Sequence, residues 1–102
     1  MTFRNKVKRL SLEDAEVIGL NALAFLAEDE ARLGRFLALT GLSVEELRQS
    51  AGSTGITSAV LEYITGDESL LLVFAASASL APEMIPQALS VLSGPSSHGY
   101  DE

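Results

Sequence analysis

The residue types that most enzymes use for nucleophilic and acid–base chemistry are scarce in this sequence. The chain has no Cys, and its single His, His98, stands in a segment rich in Gly, Ser and Pro, residues 94–100. An imidazole acts as a base or a metal ligand when packed neighbours orient it, and we expect this segment to be a mobile tail. The sequence therefore predicts no enzyme activity, no cofactor and no metal site.

Carboxylates are the remaining groups that could perform acid–base or metal chemistry. Glu13 and Glu16 lie three residues apart on a predicted helix, and residues 28–30 are all acidic at a predicted helix junction. Helical bundles that bind two metal ions combine such acids with Glu-x-x-His motifs, and this chain has none. We interpret the acids as solvated helix faces and helix caps. An enzyme that uses only carboxylates with Ser or Thr is our third hypothesis.

Two features could bind an anion or an acidic partner. The segment 52–55, Gly-Ser-Thr-Gly, precedes a predicted helix, but it lacks the Lys and the spacing of a phosphate-binding loop, and we interpret it as a connector. Arg32, Arg35 and Arg48 are the only cations after residue 9. Together they could form a small positive surface, while Arg32 could also pair with Glu28, four residues before it.

Charge is unevenly distributed along the chain. The net charge is −7, and four of the seven basic residues stand in the first nine positions. From residue 10 onward three Arg face fourteen Asp and Glu, a net charge of −11, so this part should repel nucleic acid. The residues Arg4, Lys6, Lys8 and Arg9 could tether the chain to nucleic acid or an anionic membrane, or lie against its own acidic surface. The tether is our second hypothesis.

Length and composition predict one all-α domain. The chain has 102 residues, 47% of them hydrophobic, but only four Phe, two Tyr and no Trp, so Ala and aliphatic side chains must build the core. No apolar run suits a signal peptide or a transmembrane segment, and we expect a cytoplasmic protein. Residues 10–92 are predicted to form the domain, between a flexible basic segment, 1–9, and a flexible tail, 93–102.

Capping residues indicate a compact bundle of six short helices. Four residues with short oxygen-bearing side chains precede apolar runs and are expected to be N-caps: Ser11, Asp29, Ser43 and Asp67. Three glycines follow such runs and are expected to end helices in the left-handed conformation: Gly41, Gly52 and Gly66. The predicted helices are 12–28, 30–40, 44–51, 56–65, 68–79 and 82–92.

Two of these helices lack a charged face. The segments 17–27 and 70–80 contain no charged residue, so we expect both to be central, or one of them to face a second subunit. The last helix has an apolar stripe on one side only and is predicted to lie on the surface. That stripe consists of Ile85, Ala88, Leu89 and Leu92.

The second half of the chain resembles the first at a fixed offset of 38 residues. Nine of the 31 positions from 21 to 51 are identical to their counterparts from 59 to 89. The matches include two predicted caps, Asp29 and Asp67, and two mid-helix rings, Phe36 and Phe74. We interpret this as duplication of a three-helix unit, which predicts a pseudo-two-fold axis relating the two Phe residues. The alternative is that any two amphipathic helix pairs share such spacing.

Three motifs resemble a family of short helical proteins of unknown function found mostly in alphaproteobacteria. They are Arg-Phe-Leu-Ala-Leu-Thr-Gly-Leu at 35–42, Glu-Leu-Arg at 46–48 and Asp-Glu-Ser-Leu-Leu at 67–71. The resemblance covers residues 11–92, and its motifs are structural: a helix, a stop and a cap. It implies a fold and a bacterial cytosol, and it transfers no functional site.

Our leading hypothesis is a non-enzymatic module that binds through apolar helix faces, with an unidentified protein or a second copy of the chain as its partner. It rests on the missing catalytic groups and on the uncharged segment 70–80. The two halves differ in residue type at three pairs of corresponding positions, 32 and 70, 34 and 72, and 35 and 73. A subunit contact is expected at these positions. The candidate interaction residues are Arg32, Arg35, Arg48, Leu70, Leu72 and Val73.

Overall fold

The computed structural model describes residues 10–98, with side chains described as far as residue 93. The described residues form six α-helices and no strand, which confirms the all-α prediction. The predicted basic segment 1–9 and the last part of the predicted tail, 99–102, lie outside the described residues. The helices are α1 (Leu12–Ala27), α2 (Glu30–Thr40), α3 (Val44–Ser50), α4 (Thr54–Thr65), α5 (Glu68–Ala78) and α6 (Met84–His98).

Side-chain oxygens cap the N-termini of α1 to α5 and determine where these helices begin. Each of the four predicted caps accepts a backbone N–H from the first turn of its helix, at 2.9 to 3.3 Å. Ser43 forms a full capping box, because the Glu46 carboxylate also accepts the Ser43 N–H at 2.9 Å. Ser53 was not predicted as a cap, yet it accepts the Ile56 N–H at 3.2 Å. Helix α4 therefore begins two residues before its predicted start.

The conformation predicted for the glycines at helix ends is wrong at two of three positions. Gly41 has a φ of 79°, and among the described glycines it alone has a positive φ. Gly66 has a φ of −78°, because Asp67 follows directly and takes an extended conformation to cap α5. Gly52 comes after α3 has already ended in a right-handed cap. Ser79, with a φ of 58°, forms the left-handed end of α5 instead.

Helix α6 differs from its prediction at both ends. It begins two residues later than expected and continues to His98, six residues beyond Leu92. The Ser93 hydroxyl donates to the Leu89 carbonyl at 2.7 Å. This bond to the preceding turn lets a residue that usually favours turns remain inside a helix.

The core lies between α1, α4 and α6, each of which packs against the other two. Helices α2 and α5 each pack against both α1 and α4. Helix α3 lies at the edge and buries one side chain, Leu47. The largest fully buried side chains are mostly aliphatic, as the composition predicts: Phe36, Phe74, Leu26, Leu61, Ile64, Ile85 and Val60.

Helix α5 is not central, which was the first of the two alternatives that its uncharged sequence predicts. It buries two of its eleven side chains, Phe74 and Ala75, whereas Leu72 and Val73 remain 47% and 48% exposed. Helix α6, predicted to lie on the surface, instead packs against both α1 and α4. An uncharged sequence tells what a helix is able to bury, but not how many neighbours cover it. Here α6 takes the central place that the sequence favours for α5.

The second helices of the two halves, α2 and α5, correspond at the offset of 38 residues. Helices α2 and α5 both have eleven residues and begin 38 positions apart. Their N-caps have nearly the same backbone conformation, with φ and ψ of −128° and 113° at Asp29 and −133° and 104° at Asp67. Both helices end at a left-handed residue, Gly41 in one half and Ser79 in the other.

Aromatic contacts between the two halves are reciprocal. The ring centroids of Phe25 and Phe74 lie 5.2 Å apart, and those of Phe36 and Tyr63 lie 5.6 Å apart. At the offset of 38, Phe25 corresponds to Tyr63 and Phe36 to Phe74. Phe25 therefore contacts the counterpart of Phe36, and Phe36 contacts the counterpart of Phe25. A two-fold axis between two units produces contacts of this exchanged kind.

Helices α1 and α4 approach closely at one pair of equivalent positions. A Cβ atom built on Gly19 would lie 2.7 Å from the Cβ of Thr57, its own counterpart 38 residues later. Contact between equivalent positions marks the place where a two-fold axis would pass. The third helices break the pattern, because α6 is central and α3 lies at the edge. The duplication itself remains a prediction, with this geometry in its support.

Candidate interaction surface

Two of the three arginines of the described residues, Arg32 and Arg48, are held in separate local contacts. The guanidinium carbon of Arg32 lies 4.3 Å from the centroid of the Phe25 ring, a cation–π contact. Arg48 pairs with Glu45 at 3.6 Å along α3, and both side chains are exposed. Exposed pairs of this kind contribute little to stability. Arg35 is exposed on α2.

The predicted ion pair between Glu28 and Arg32 is wrong. Glu28 is the C-cap of α1 and Arg32 lies in the first turn of α2, so their spacing does not fall on one helix. Arg32 instead acts on Asp29, whose carboxylate accepts the backbone N–H groups of Arg32 and Ala31. These bonds, together with the charges of Arg32 and Arg35, lower the pKa of Asp29 below its usual value. The carboxylate is therefore held in its charged form as a helix cap.

The other polar groups singled out from the sequence serve local structure. In the described part of the chain, no three Asp, Glu or His side chains are placed to hold a metal ion. The segment 52–55 leads into α4, which begins at Thr54, and the Ser53 hydroxyl is occupied as its cap. The side chain of His98 lies outside the described residues, although the backbone of α6 reaches this position.

The outward side of α5 carries branched aliphatic side chains without charge. Leu72 and Val73 are adjacent and about half exposed, while Leu70, predicted with them, is half-buried against the core. Glu68, in the first turn, is the one charged residue of the helix. Four exposed residues spaced i, i+3, i+4 and i+7 share this side and are named the α5 face: Ser69, Leu72, Val73 and Ala76.

Helix α1 also exposes apolar side chains, in a more acidic setting. Leu12, Val17 and Leu20 are 54%, 51% and 45% exposed, and three of the first five residues of this helix are acidic. The sequence predicts that residues 17–27 are central, so Val17 and Leu20 were not among the candidates. A segment that is apolar on every side carries no signal for which side faces outward.

Residues 12–95 match the model of the family DUF3572, described as a protein of unknown function. The chain belongs to this family. The DUF3572 match spans all six helices, as far as the last turn of α6, and it confirms the expected resemblance to a family of unknown function. No curated protein and no solved structure matches the chain. The alphaproteobacterial origin and the cytoplasmic location remain predictions. No helix in residues 10–98 is long and apolar enough to cross a membrane.

Proposed function

We propose that this DUF3572 protein is a non-enzymatic module that binds another protein through the α5 face. The observation that carries the proposal is a comparison of α5 with α2, the helix at the corresponding place in the first half. The two helices have the same length and equivalent ends. Helix α2 therefore serves as an internal reference for what the chain places at these positions when they face water.

The corresponding outward positions hold different residue types in the two helices. Gly34 and Arg35 of α2 correspond to Leu72 and Val73 of α5, and all four are exposed. A charged residue and a residue without a side chain suit a solvated helix surface, whereas two adjacent branched aliphatic residues do not. Covering the exposed half of each aliphatic side chain would contribute about 1 kcal/mol. The α5 face thus gains free energy from a partner, and the equivalent surface of α2 does not.

The chemistry of the α5 face indicates the chemistry of what binds it. Beyond Glu68 the helix offers no charge, and the cores of protein–protein interfaces are depleted in charged residues in the same way. Nucleic acid and anionic membranes are bound mainly through Lys and Arg, which α5 lacks. The apolar surface of a second protein therefore fits the α5 face best.

A photo-crosslinking side chain tests the proposal in living cells that make the protein. We expect a benzophenone group at position 73 to form covalent adducts, because the partner covers this side chain. The same group at position 35 is the matched control, because it stands at the equivalent place on a helix that faces water. Adducts appear as bands of higher mass on a denaturing gel. A yield at position 73 no greater than that at position 35 would contradict the proposal.

A further inference from the structure

We infer that the partner of the α5 face is a second copy of this chain, with the two α5 helices packed antiparallel across a two-fold axis. The inference rests on the proposed function and names the partner for the same surface. Its supports are the charge distribution of the chain, the alternation of large and small side chains on the α5 face, and the charge of the competing surfaces.

Charge determines where two copies of this chain can meet. Two bodies that each carry −11 from residue 10 onward repel each other. On α5 the only charge is Glu68, at one end of the helix. In an antiparallel pair centred near residue 74, the two Glu68 backbones lie about 18 Å apart along the axis, from a rise of 1.5 Å per residue. This exceeds the Debye length of about 8 Å at physiological salt, so the two Glu68 carboxylates repel each other only weakly.

The α5 face is complementary to itself in the same register. Around a centre near residue 74, Leu72 of one copy lies opposite Ala76 of the other, so a large side chain meets a small one at two symmetric places. Val73 lies beside the axis and meets the Val73 of the second copy. Large side chains that pack against small ones allow helices to approach closely. Because the two-fold axis places every residue in the contact twice, one substitution changes the contact at two places.

The size of the α5 face sets the strength of the association. An eleven-residue helix is about 16 Å long and about 10 Å wide, so one face offers a few hundred Å² at most. Stable interfaces bury about 800 Å² on each partner. The dimer is therefore weak and exchanges rapidly.

One competing occupant of the α5 face and one competing surface for a second copy both fit less well. The basic residues of segment 1–9 would find a single carboxylate there, Glu68. The exposed apolar residues of α1 stand beside Glu13, Asp14 and Glu16, which would repel a second acidic copy. The α5 face therefore lets two copies meet with less charge repulsion than the exposed apolar residues of α1 do.

Cysteine crosslinking tests the inference directly, because the chain has no Cys of its own. A disulfide requires Cα atoms within about 7 Å, a distance that residues beside the axis satisfy. We expect Val73→Cys to form a covalent dimer under mild oxidation at least ten times faster than the matched control Arg35→Cys. Adding Leu72→Glu to the Val73→Cys variant should slow the reaction at least tenfold. Circular dichroism checks that all three variants keep the helical content of the parent chain.

The outcomes separate this inference from the proposed function. Equal crosslinking rates for Val73→Cys and Arg35→Cys would overturn the second-copy inference, as would a monomer in sedimentation equilibrium at millimolar concentration. In that case photo-adducts at position 73 of a mass other than two chains would leave the proposed function standing with a different partner. Absence of both adducts and disulfide dimers would overturn both. Adducts of the mass of two chains, together with fast crosslinking at position 73, support both.

Discussion

Gly19 lies where α1 meets α4, and a Cβ atom built on it would be 2.7 Å from the Cβ of Thr57 and 3.1 Å from its Cγ2. Thr57 is 1% exposed and its hydroxyl donates to backbone carbonyls of its own helix. A branched side chain in that setting has little freedom to move away. Gly34 is the contrasting case, because a Cβ atom there would meet nothing within 4 Å.

The two glycines predict opposite effects of the same substitution. Gly19→Ala should destabilise the protein by about 1–3 kcal/mol, because overpacking forces the helices apart. Gly34→Ala should stabilise it by about 0.5–1 kcal/mol, because alanine restricts the unfolded chain and favours the helix. Urea titrations followed by circular dichroism measure both changes.

A second substitution identifies the cause of the Gly19 effect. Adding Thr57→Gly to Gly19→Ala removes the atom in conflict and should recover part of the lost stability, although glycine weakens α4. The double variant should lose less free energy of unfolding than the two single variants lose when their losses are added. If it loses as much as that sum or more, the steric explanation fails.

At the scale of the helices, the ends of α2 and α5 show one conformation with two different residues. Gly41 and Ser79 both take left-handed backbone angles, with φ of 79° and 58°. Glycine adopts this region without strain, whereas most other residues do so at a cost of about 1 kcal/mol. The chain thus places the suitable residue at one of two equivalent ends.

Exchanging these residues should change stability in opposite directions. Ser79→Gly is expected to raise the free energy of unfolding by about 1 kcal/mol, because it relieves the strain at the end of α5. Gly41→Ser is expected to lower it by a similar amount. Thermal unfolding of the two variants measures the effects, and a loss of stability in Ser79→Gly would show that its side chain stabilises this turn.

Four of the six helix starts could be predicted from the sequence, because they depend on nearby capping residues. Ser11 and Asp67 cap their helices by accepting a backbone N–H three positions away, so a short stretch of sequence contains all the information. Helix ends were harder, since the angles of Gly66 depend on the cap that follows it. Which of α5 and α6 is central in the bundle could not be predicted, because it depends on which helices meet in space.

The same limit applied to the candidate surface. Leu72 and Val73 were singled out because the two halves differ there, and both are exposed. Arg32 was singled out for the same reason, yet it is half-buried over Phe25. A comparison of halves finds positions that differ, but it does not tell whether a side chain faces water or its own core.

At the scale of the whole molecule, each half completes the core of the other. Phe36 and Phe74 are fully buried at equivalent positions, and each meets an aromatic ring from the opposite half. Aromatic pairs of this geometry contribute about 0.5–1.5 kcal/mol beyond the burial of their surface. The two residues therefore occupy matched environments.

Matched environments predict matched losses. Phe36→Leu and Phe74→Leu should each lower the free energy of unfolding by about 1–2 kcal/mol, because each loses a ring contact and leaves a small cavity. Leu39→Ala, at a side chain that is 75% exposed, is the control and should change stability by less than about 0.5 kcal/mol. Guanidinium titrations compare the three variants. A difference of more than about 1 kcal/mol between the two Phe variants would contradict the equivalence.

The reciprocal ring contacts also govern the order of events when the chain is made. The rings of Phe25 and Phe36 leave the ribosome before Tyr63 and Phe74, which they contact in the folded protein. At 5 to 20 residues per second, the separations of 27 residues between Phe36 and Tyr63 and of 49 residues between Phe25 and Phe74 correspond to waits of roughly 1 to 10 s. During that interval the first half has no partner for its aromatic side chains. Folding of this bundle is therefore tied to synthesis of its second half, and the first half by itself leaves the aromatic side chains of Phe25 and Phe36 without these contacts.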